Sequence, residues 1–167
     1  MQRGAWNNYH RLLDNPQRLI NYFLQLIARW GITPPRLRLK LQKARGVHFA
    51  SMETVYIGTN VYFDQLRPQD IFIGKKVRIT EGVKILTHYY DVESQEHNMR
   101  MSGKVVIKDN VFLGFNVIIA NPVTIGEGAI VGANSVVTRD IGENEIVGGV
   151  PARTIGFRKI GSSEGRL

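Results

Sequence analysis

Between residues 107 and 141 the chain repeats itself every six residues, and no other feature restricts its possible folds more. Aliphatic residues return at Ile107, Leu113, Ile119, Ile125, Val131 and Val137. Four places after each comes a small or β-branched residue: Val111, Val117, Val123, Ala129, Ser135 and Ile141. An α-helix would return its apolar face about every 3.6 residues and a strand every second residue, so neither requires this spacing. A parallel β-helix does. Its flat faces are short strands, its corners are tight turns that Gly and Asn enter at little steric cost, and each aliphatic stacks on its counterpart one coil away. The sequence therefore predicts a mainly β chain wound as a parallel coil of hexapeptide repeats.

Toward the N-terminus the repeat is ragged. Ile57-Gly-Thr-Asn-Val61 fits it, residues 64–70 interrupt it, and Ile73, Ile79 and Ile85 resume it. The next aliphatic in phase is due at position 91 and arrives at Ile107, so a loop of about 16 extra residues leaves one corner at about 87–104. Long loops on a rigid scaffold are where function concentrates. His88 stands at the start of this loop and His97 further along it. Imidazole, with an unperturbed pKa near 6.5, is suited to moving protons at neutral pH. Taken alone, either histidine could equally make an ordinary loop hydrogen bond. Asp91 and Glu93 could orient His88 or simply form a solvated acidic loop.

At 167 residues the chain is one domain's length with room for an appendage. Three regions are expected: a basic helical arm or cap at 1–46, the coil with its C-terminal tail at 47–158, and a polar tail at 159–167. Residues 1–46 hold nine Lys and Arg against Asp14 alone, while the remainder holds 13 of each sign, so the net charge of +8 belongs to the arm. Asn15-Pro16 suits a helix cap and first turn, and Gly31 with Thr33-Pro34-Pro35 ends that helix. Residues 36–43 alternate leucine with cations, which fits a basic edge strand or, as favoured here, a second helix. The first role expected of the arm is to cap the open first coil. The second is contact with an anionic membrane surface or an anionic glycan carrier. No nucleic-acid module is recognisable, and nucleic acid is not an expected partner.

There is no cysteine, hence no disulfide, thiolate nucleophile or thiolate metal site, which fits a reducing compartment. The first residues are polar and predict no secretory leader. The apolar run at 19–30 is broken by Asn21, Gln25 and Arg29 and is too short to span a bilayer. The expected location is cytoplasmic, with peripheral contact to the inner face of the membrane allowed by the arm.

The coil, the Thr87-His88 pair opening an excursion loop, and the motifs Gly132-Ala-Asn-Ser-Val-Val-Thr-Arg-Asp-Ile141 and Gly148-Gly-Val-Pro-Ala-Arg153 together resemble the hexapeptide-repeat acyltransferases. Within that family it most resembles the branch of the maltose/galactoside and polysaccharide O-acetyltransferases. The resemblance covers about residues 55–158 and leaves out the basic arm. It implies a left-handed coil, against the usual crossover rule. It also implies a homotrimer with active sites between subunits, and acetyl-CoA as cosubstrate. The reaction it implies is direct acetyl transfer to a hydroxyl of a sugar or glycan precursor, with His88 as general base. Gly114, Ala133, Thr138, Arg139, Pro151 and Arg153 are the implied CoA-side positions. For the arginines the chemistry is sensible, since a guanidinium forks onto phosphate oxygens, although both could be plain surface charges. A backbone N–H near Gly114 could hold the oxyanion. Asp64 would lie on the acceptor side, binding sugar hydroxyls or capping its turn, and His97 would be a further acceptor contact. Phe112, where the family often has Trp, and Asn121-Pro122, where it usually has a Gly turn, depart from the family pattern on the acceptor side and at one corner.

Two enzyme alternatives share the scaffold. N-acetylation of an amino-sugar nucleotide differs only in acceptor. A γ-type carbonic anhydrase needs three metal-ligating histidines, and the four present, His10, His48, His88 and His97, contain no close pair, so no metal is expected. A non-catalytic trimeric scaffold that binds glycan or membrane is the remaining alternative.

Overall fold

The computed structural model describes residues 16–90, 99–100 and 103–159. The Asn15 cap, Asp91, Glu93 and His97 lie outside these residues. The coil has three faces, with strands numbered here in chain order. The first face stacks β1 (His48–Phe49), β4 (Ile71–Ile73), β9 (Val105–Ile107) and β12 (Thr124–Ile125). The second stacks β2 (Tyr56–Ile57), β5 (Arg78–Ile79), β10 (Phe112–Leu113), β13 (Ile130–Val131) and β15 (Glu145–Gly148), with β16 (Arg153–Phe157) added antiparallel at its edge. The third stacks β3 (Tyr62–Phe63), β6 (Lys84–Ile85), β11 (Ile118–Ile119) and β14 (Val136–Val137). All coil-to-coil pairings are parallel. The architecture is a left-handed parallel β-helix.

The six-residue period has its expected physical basis. The repeated aliphatics from Ile107 to Val137 and the small residues four places on are all buried, forming one continuous apolar column with their counterparts in the earlier coils. Asn60, Asn110, Asn116, Asn134 and Gly128 hold the turns with positive φ, a conformation open to Gly and cheap for Asn. Three faces of six residues make an 18-residue coil, as Leu113 paired with Val131 shows. Ile79 pairs with Leu113, a step of 34, so the excess over one coil is the 16 residues of the excursion. Within the excursion β7 (Tyr89–Tyr90) and β8 (Met99–Arg100) pair antiparallel, so the chain leaves and re-enters the corner as a hairpin.

Two helices, α1 (Pro16–Arg29) and α2 (Pro35–Ala44), close the open end of the first coil. The alternating Leu/cation stretch is thus a helix. A β-helix end exposes unpaired carbonyls, and those of Ile57, Val61 and Phe63 point toward the helices. Polar side chains meet them: Arg38 Nη1 donates to Ile57 O (3.2 Å), Gln25 Nε2 to Val61 O (3.0 Å), and Arg45 Nη2 to Phe63 O (3.3 Å) and Asp64 O (2.9 Å). Gln25, Arg38 and Arg45 are buried for this reason, and Gln42 is buried with them, donating to Gln25 Oε1 and accepting from Arg45 Nη1. Burial lowers Arg45 to about 10, with Tyr62 and Asp64 opposing, so it stays cationic at neutral pH.

Candidate active site

Asp64 follows β3 and His88 follows β6, and the register Phe63 with Ile85 places the two chain segments on successive coils of the same corner. Their side chains meet there. His88 Nδ1 lies 2.6 Å from Asp64 Oδ2. The same oxygen accepts from the Thr87 amide (2.8 Å) and the Thr87 hydroxyl (2.8 Å). Oδ1 accepts from the amides of Leu66 (2.8 Å) and Arg67 (3.4 Å). This Asx-type turn begins the 64–70 interruption, which ends in a short 3-10 turn at Pro68–Asp70.

Asp64 is fully buried, whereas the His88 side chain keeps 14% exposure. Burial pushes the Asp64 carboxyl up, but the donors from His88 and Thr87 outweigh it and hold the group at about 2. The hydrogen bond to Asp64 raises His88 above its ordinary 6.5, with burial opposing and the carboxylate charge adding to the rise. An ionised carboxylate only accepts, so Nδ1 carries the proton and Nε2 carries the lone pair. The arrangement is an oriented, strengthened base on the outside of a rigid corner.

This corrects the expectation that Asp64 binds a sugar hydroxyl. Neither oxygen reaches the surface, and both are occupied by donors from its own chain. The turn-capping alternative is present, together with a second role that the sequence reading did not assign: orienting His88. Counting coils would have found it, since Tyr62 pairs with Lys84 and Asp64 therefore falls opposite residues 86–88.

Thr138 and Arg139 follow β14 on the same corner as His88, further along the coil axis, and are exposed. Asn121, from the departing Asn121-Pro122 turn, donates through Nδ2 to Thr138 O at 3.2 Å. Arg139 Nη2 donates to Glu145 Oε1 (2.9 Å) and Thr154 Oγ1 (3.0 Å), and Nη1 donates to Asp140 O (2.8 Å). Glu145 also accepts from the Gly142 amide (2.6 Å) and from the Thr154 hydroxyl. Arg139 is the largest cause holding Glu145 down at about 2, ahead of burial, which opposes, and the other donors. The guanidinium is therefore anchored while part of it faces solvent. Pro151, in the connection from β15 to β16, and Arg153, the first residue of β16, are exposed, and Arg153 Nη1 donates to Ala152 O (3.2 Å).

Gly114 and Ala133 sit on a different corner, where the second face turns into the third. A Cβ on Gly114 would come within 2.7 Å of Ala133 N and 2.8 Å of Val131 O, so close stacking of coils requires glycine there. Its own N–H donates to Val131 O (2.8 Å) and is spent on the ladder. Ala133 is exposed. One chain thus carries Asp64, His88, Thr138 and Arg139 along one edge of the prism and Gly114 with Ala133 along another.

Residues 104–139 match the family model "Bacterial transferase hexapeptide (six repeats)". The galactoside O-acetyltransferase of Escherichia coli K12 is 34% identical over 118 residues, covering 65% of this chain and 57% of that protein. A hexapeptide-repeat-containing acetyltransferase of Vibrio cholerae, solved with acetyl coenzyme A, superposes with a TM-score of 0.64 at 26% identity, covering 84% of this chain and 86% of that one. A maltose O-acetyltransferase of Clostridium difficile gives 0.62 at 26% identity, covering 87% and 88%. The chain spans about half the length of the curated relatives it matches (44% to 57%).

Proposed function

The chain belongs to the hexapeptide-repeat acyltransferase family, and from that premise we propose that it moves an acetyl group from acetyl-CoA to a hydroxyl of a sugar or glycan precursor. The observation that carries the reading is the His88–Asp64 pair. Its buried carboxylate, held ionised at about 2, points a partly exposed imidazole outward with Nε2 as the basic atom. The relatives named above are acetyltransferases, two of them acting on a maltose or a galactoside hydroxyl by name, and a third was solved with acetyl coenzyme A.

An alcohol attacks a thioester slowly because its proton must leave as the C–O bond forms. His88 Nε2 takes that proton while the acceptor oxygen adds to the acetyl carbonyl. The tetrahedral centre then collapses, the C–S bond breaks, and the imidazolium returns its proton to the departing sulfur. The products are the acetyl ester and CoA thiol, with His88 restored. Asp64 keeps Nδ1 protonated and stabilises the transient imidazolium without accepting the proton itself. No step requires an acyl-enzyme, and the chain offers no cysteine for one.

On the cosubstrate side we assign the exposed guanidiniums of Arg139 and Arg153 to phosphate contact, Pro151 to the turn that presents Arg153, and Thr138, Ala133 and Gly114 to the pantetheine path. Gly114 serves that path by letting the coils stack closely. These positions fall on two edges of one chain. A homotrimer with sites between neighbours, where one chain's His88 edge meets another's Gly114–Ala133 edge, accommodates that division. Light scattering should then report three times 18.9 kDa. His97 stays a proposed acceptor contact. The proposed location is cytoplasmic, where acetyl-CoA and reduced protein coexist.

Free-thiol release from acetyl-CoA, measured against a panel of mono- and oligosaccharides, tests the reading. His88→Ala should lower kcat by about 10²–10⁴-fold, the usual contribution of a positioned base, with CoA affinity retained. Near-full turnover by H88A would sink the mechanism.

A further inference from the structure

The helical cap is built inside out. On α1 the buried residues are Asn21, Gln25 and Ala28, whereas Ile20, Phe23 and Ile27, and Trp30 just past the helix end, are exposed. Their spacing places Ile20, Phe23 and Ile27 on one stripe of the helix, opposite the buried set, and Trp30 follows at its end. Leu26 lies beside the stripe, and Ile32 and Leu37 extend it across the turn into α2; Trp30 is 68% and Ile32 86% exposed. The coil end explains the inversion. It presents carbonyls, so the helices turn amides and guanidiniums inward, and the apolar residues are left facing away. An exposed apolar patch of this size marks an interaction surface.

The charge beside it selects the occupant. Arg36, Lys40 and Lys43 of α2 are exposed, and residues 16–46 contain no Asp or Glu. A second copy of the chain would bring cations against cations. The preceding segment, residues 1–15, carries Arg3 and Arg11 against Asp14 alone and would do the same. A surface that is apolar below and anionic above satisfies both halves of the patch. We propose that α1 and the start of α2 lie in the plane of an anionic lipid membrane, with Phe23, Ile27, Trp30 and Ile32 in the acyl boundary and Arg36, Lys40 and Lys43 at the headgroups. Aromatic and aliphatic residues on one face of a short helix, flanked by cations, are the features of interfacial binding. At 14 residues α1 is too short to cross a bilayer, and among the described residues no helix is long and apolar enough to do so. The proposal is independent of the acetyl-transfer reading and stands or falls on binding alone.

The test uses the full chain carrying Trp6→Phe, which leaves Trp30 as the sole tryptophan. It is mixed with phosphatidylcholine vesicles with and without phosphatidylglycerol. Co-sedimentation with the anionic vesicles, a blue shift of Trp30 emission and its quenching by brominated lipid are expected. In the Trp6 background, Phe23→Ser/Ile27→Ser/Trp30→Ser should lower partitioning by about tenfold or more. Arg36→Gln/Lys40→Gln/Lys43→Gln should lower it and flatten its salt dependence. If the apolar variant fails to fold by circular dichroism, the charge variant decides. Four results would overturn the proposal: no sedimentation with anionic vesicles, equal binding to neutral ones, a change of oligomeric mass in the apolar variant, or binding that appears only after residues 2–15 are removed. The third would assign the face to a second copy and the last to the chain's own N-terminal segment.

Discussion

Replacing Asp64 by Asn keeps the side chain's shape and removes the charge that holds His88. The folded carboxyl sits at about 2 against an ordinary 3.8, and at 1.36 kcal/mol per unit this is about 2 kcal/mol in favour of the ionised form. Because the folded value is depressed, that stability is present above pH ~4 and is lost as pH falls toward 2. D64N should therefore be about 2 kcal/mol less stable than wild type at neutral pH. The amide cannot reproduce the hydrogen bonds either. Five donors converge on Asp64, from Leu66, Arg67, Thr87 (two) and His88. Whichever way Asn turns, its NH₂ faces donors on one side. If it faces His88, it forces the ring proton onto Nε2 and abolishes the base. The kinetic loss is bounded above by the whole contribution of the base, about 10²–10⁴-fold, and should be at least about tenfold, in kcat rather than in KM for acetyl-CoA. The pH profile separates orientation from mere structural damage. Wild-type kcat/KM should fall as pH drops through an inflection above 6.5, because the Asp64 hydrogen bond raises His88. In D64N burial alone remains, and the inflection should move to 6.5 or below. A D64N enzyme within about twofold of wild-type kcat, with an unmoved inflection, would refute the assignment.

Other consequences follow from the same geometry. Gly114→Ala places a methyl 2.7 Å from Ala133 N, and overpacking of this kind costs about 1–3 kcal/mol, visible as a fall of several degrees in Tm. An unchanged Tm would show that the coils are not stacked as tightly as described. Glu145 is held at about 2 against an ordinary 4.5 by Arg139 and the β16 threonine, so its stability contribution is present above pH ~4.5 and lost toward 2. Glu145→Gln should lower thermal stability at neutral pH and lessen the loss on acidification over that window. An identical acid-unfolding curve would remove Glu145 from the account. If Arg139 holds the cosubstrate as proposed, freeing it of its anchor should weaken that contact, read as a raised KM for acetyl-CoA in E145Q.

Local repetition is what made the fold legible. Each hexad repeats the same demands, an aliphatic for the column and a small residue and a compliant turn for the corner, so the period alone implies stacked coils. The phase slip between Ile85 and Ile107 located the excursion because a coil cannot absorb residues without displacing its register. His88 was legible because it stands where that slip begins. Helix α2 was harder to read, since Leu37, Leu39 and Leu41 alternate like a strand. Only Leu39 and Leu41 turn inward there to any degree, with the cap's polar contacts deciding the helix.

What the sequence determined by itself is the coil, its interruption and the candidate base, because these follow from residue type and spacing along the chain. What only tertiary structure decided is pairing. Asp64 precedes His88 by 24 residues and reads as an acceptor ligand or a turn cap until the register of β3 on β6 brings it beneath the imidazole. The cap's orientation was likewise undecided by pattern. Apolar periodicity says which residues share a helix face, but the carbonyls at the coil end dictated that the polar face turn inward and left Phe23, Ile27 and Trp30 facing out. Burial is a property of the surface a residue meets, and that surface exists only once the coil has formed.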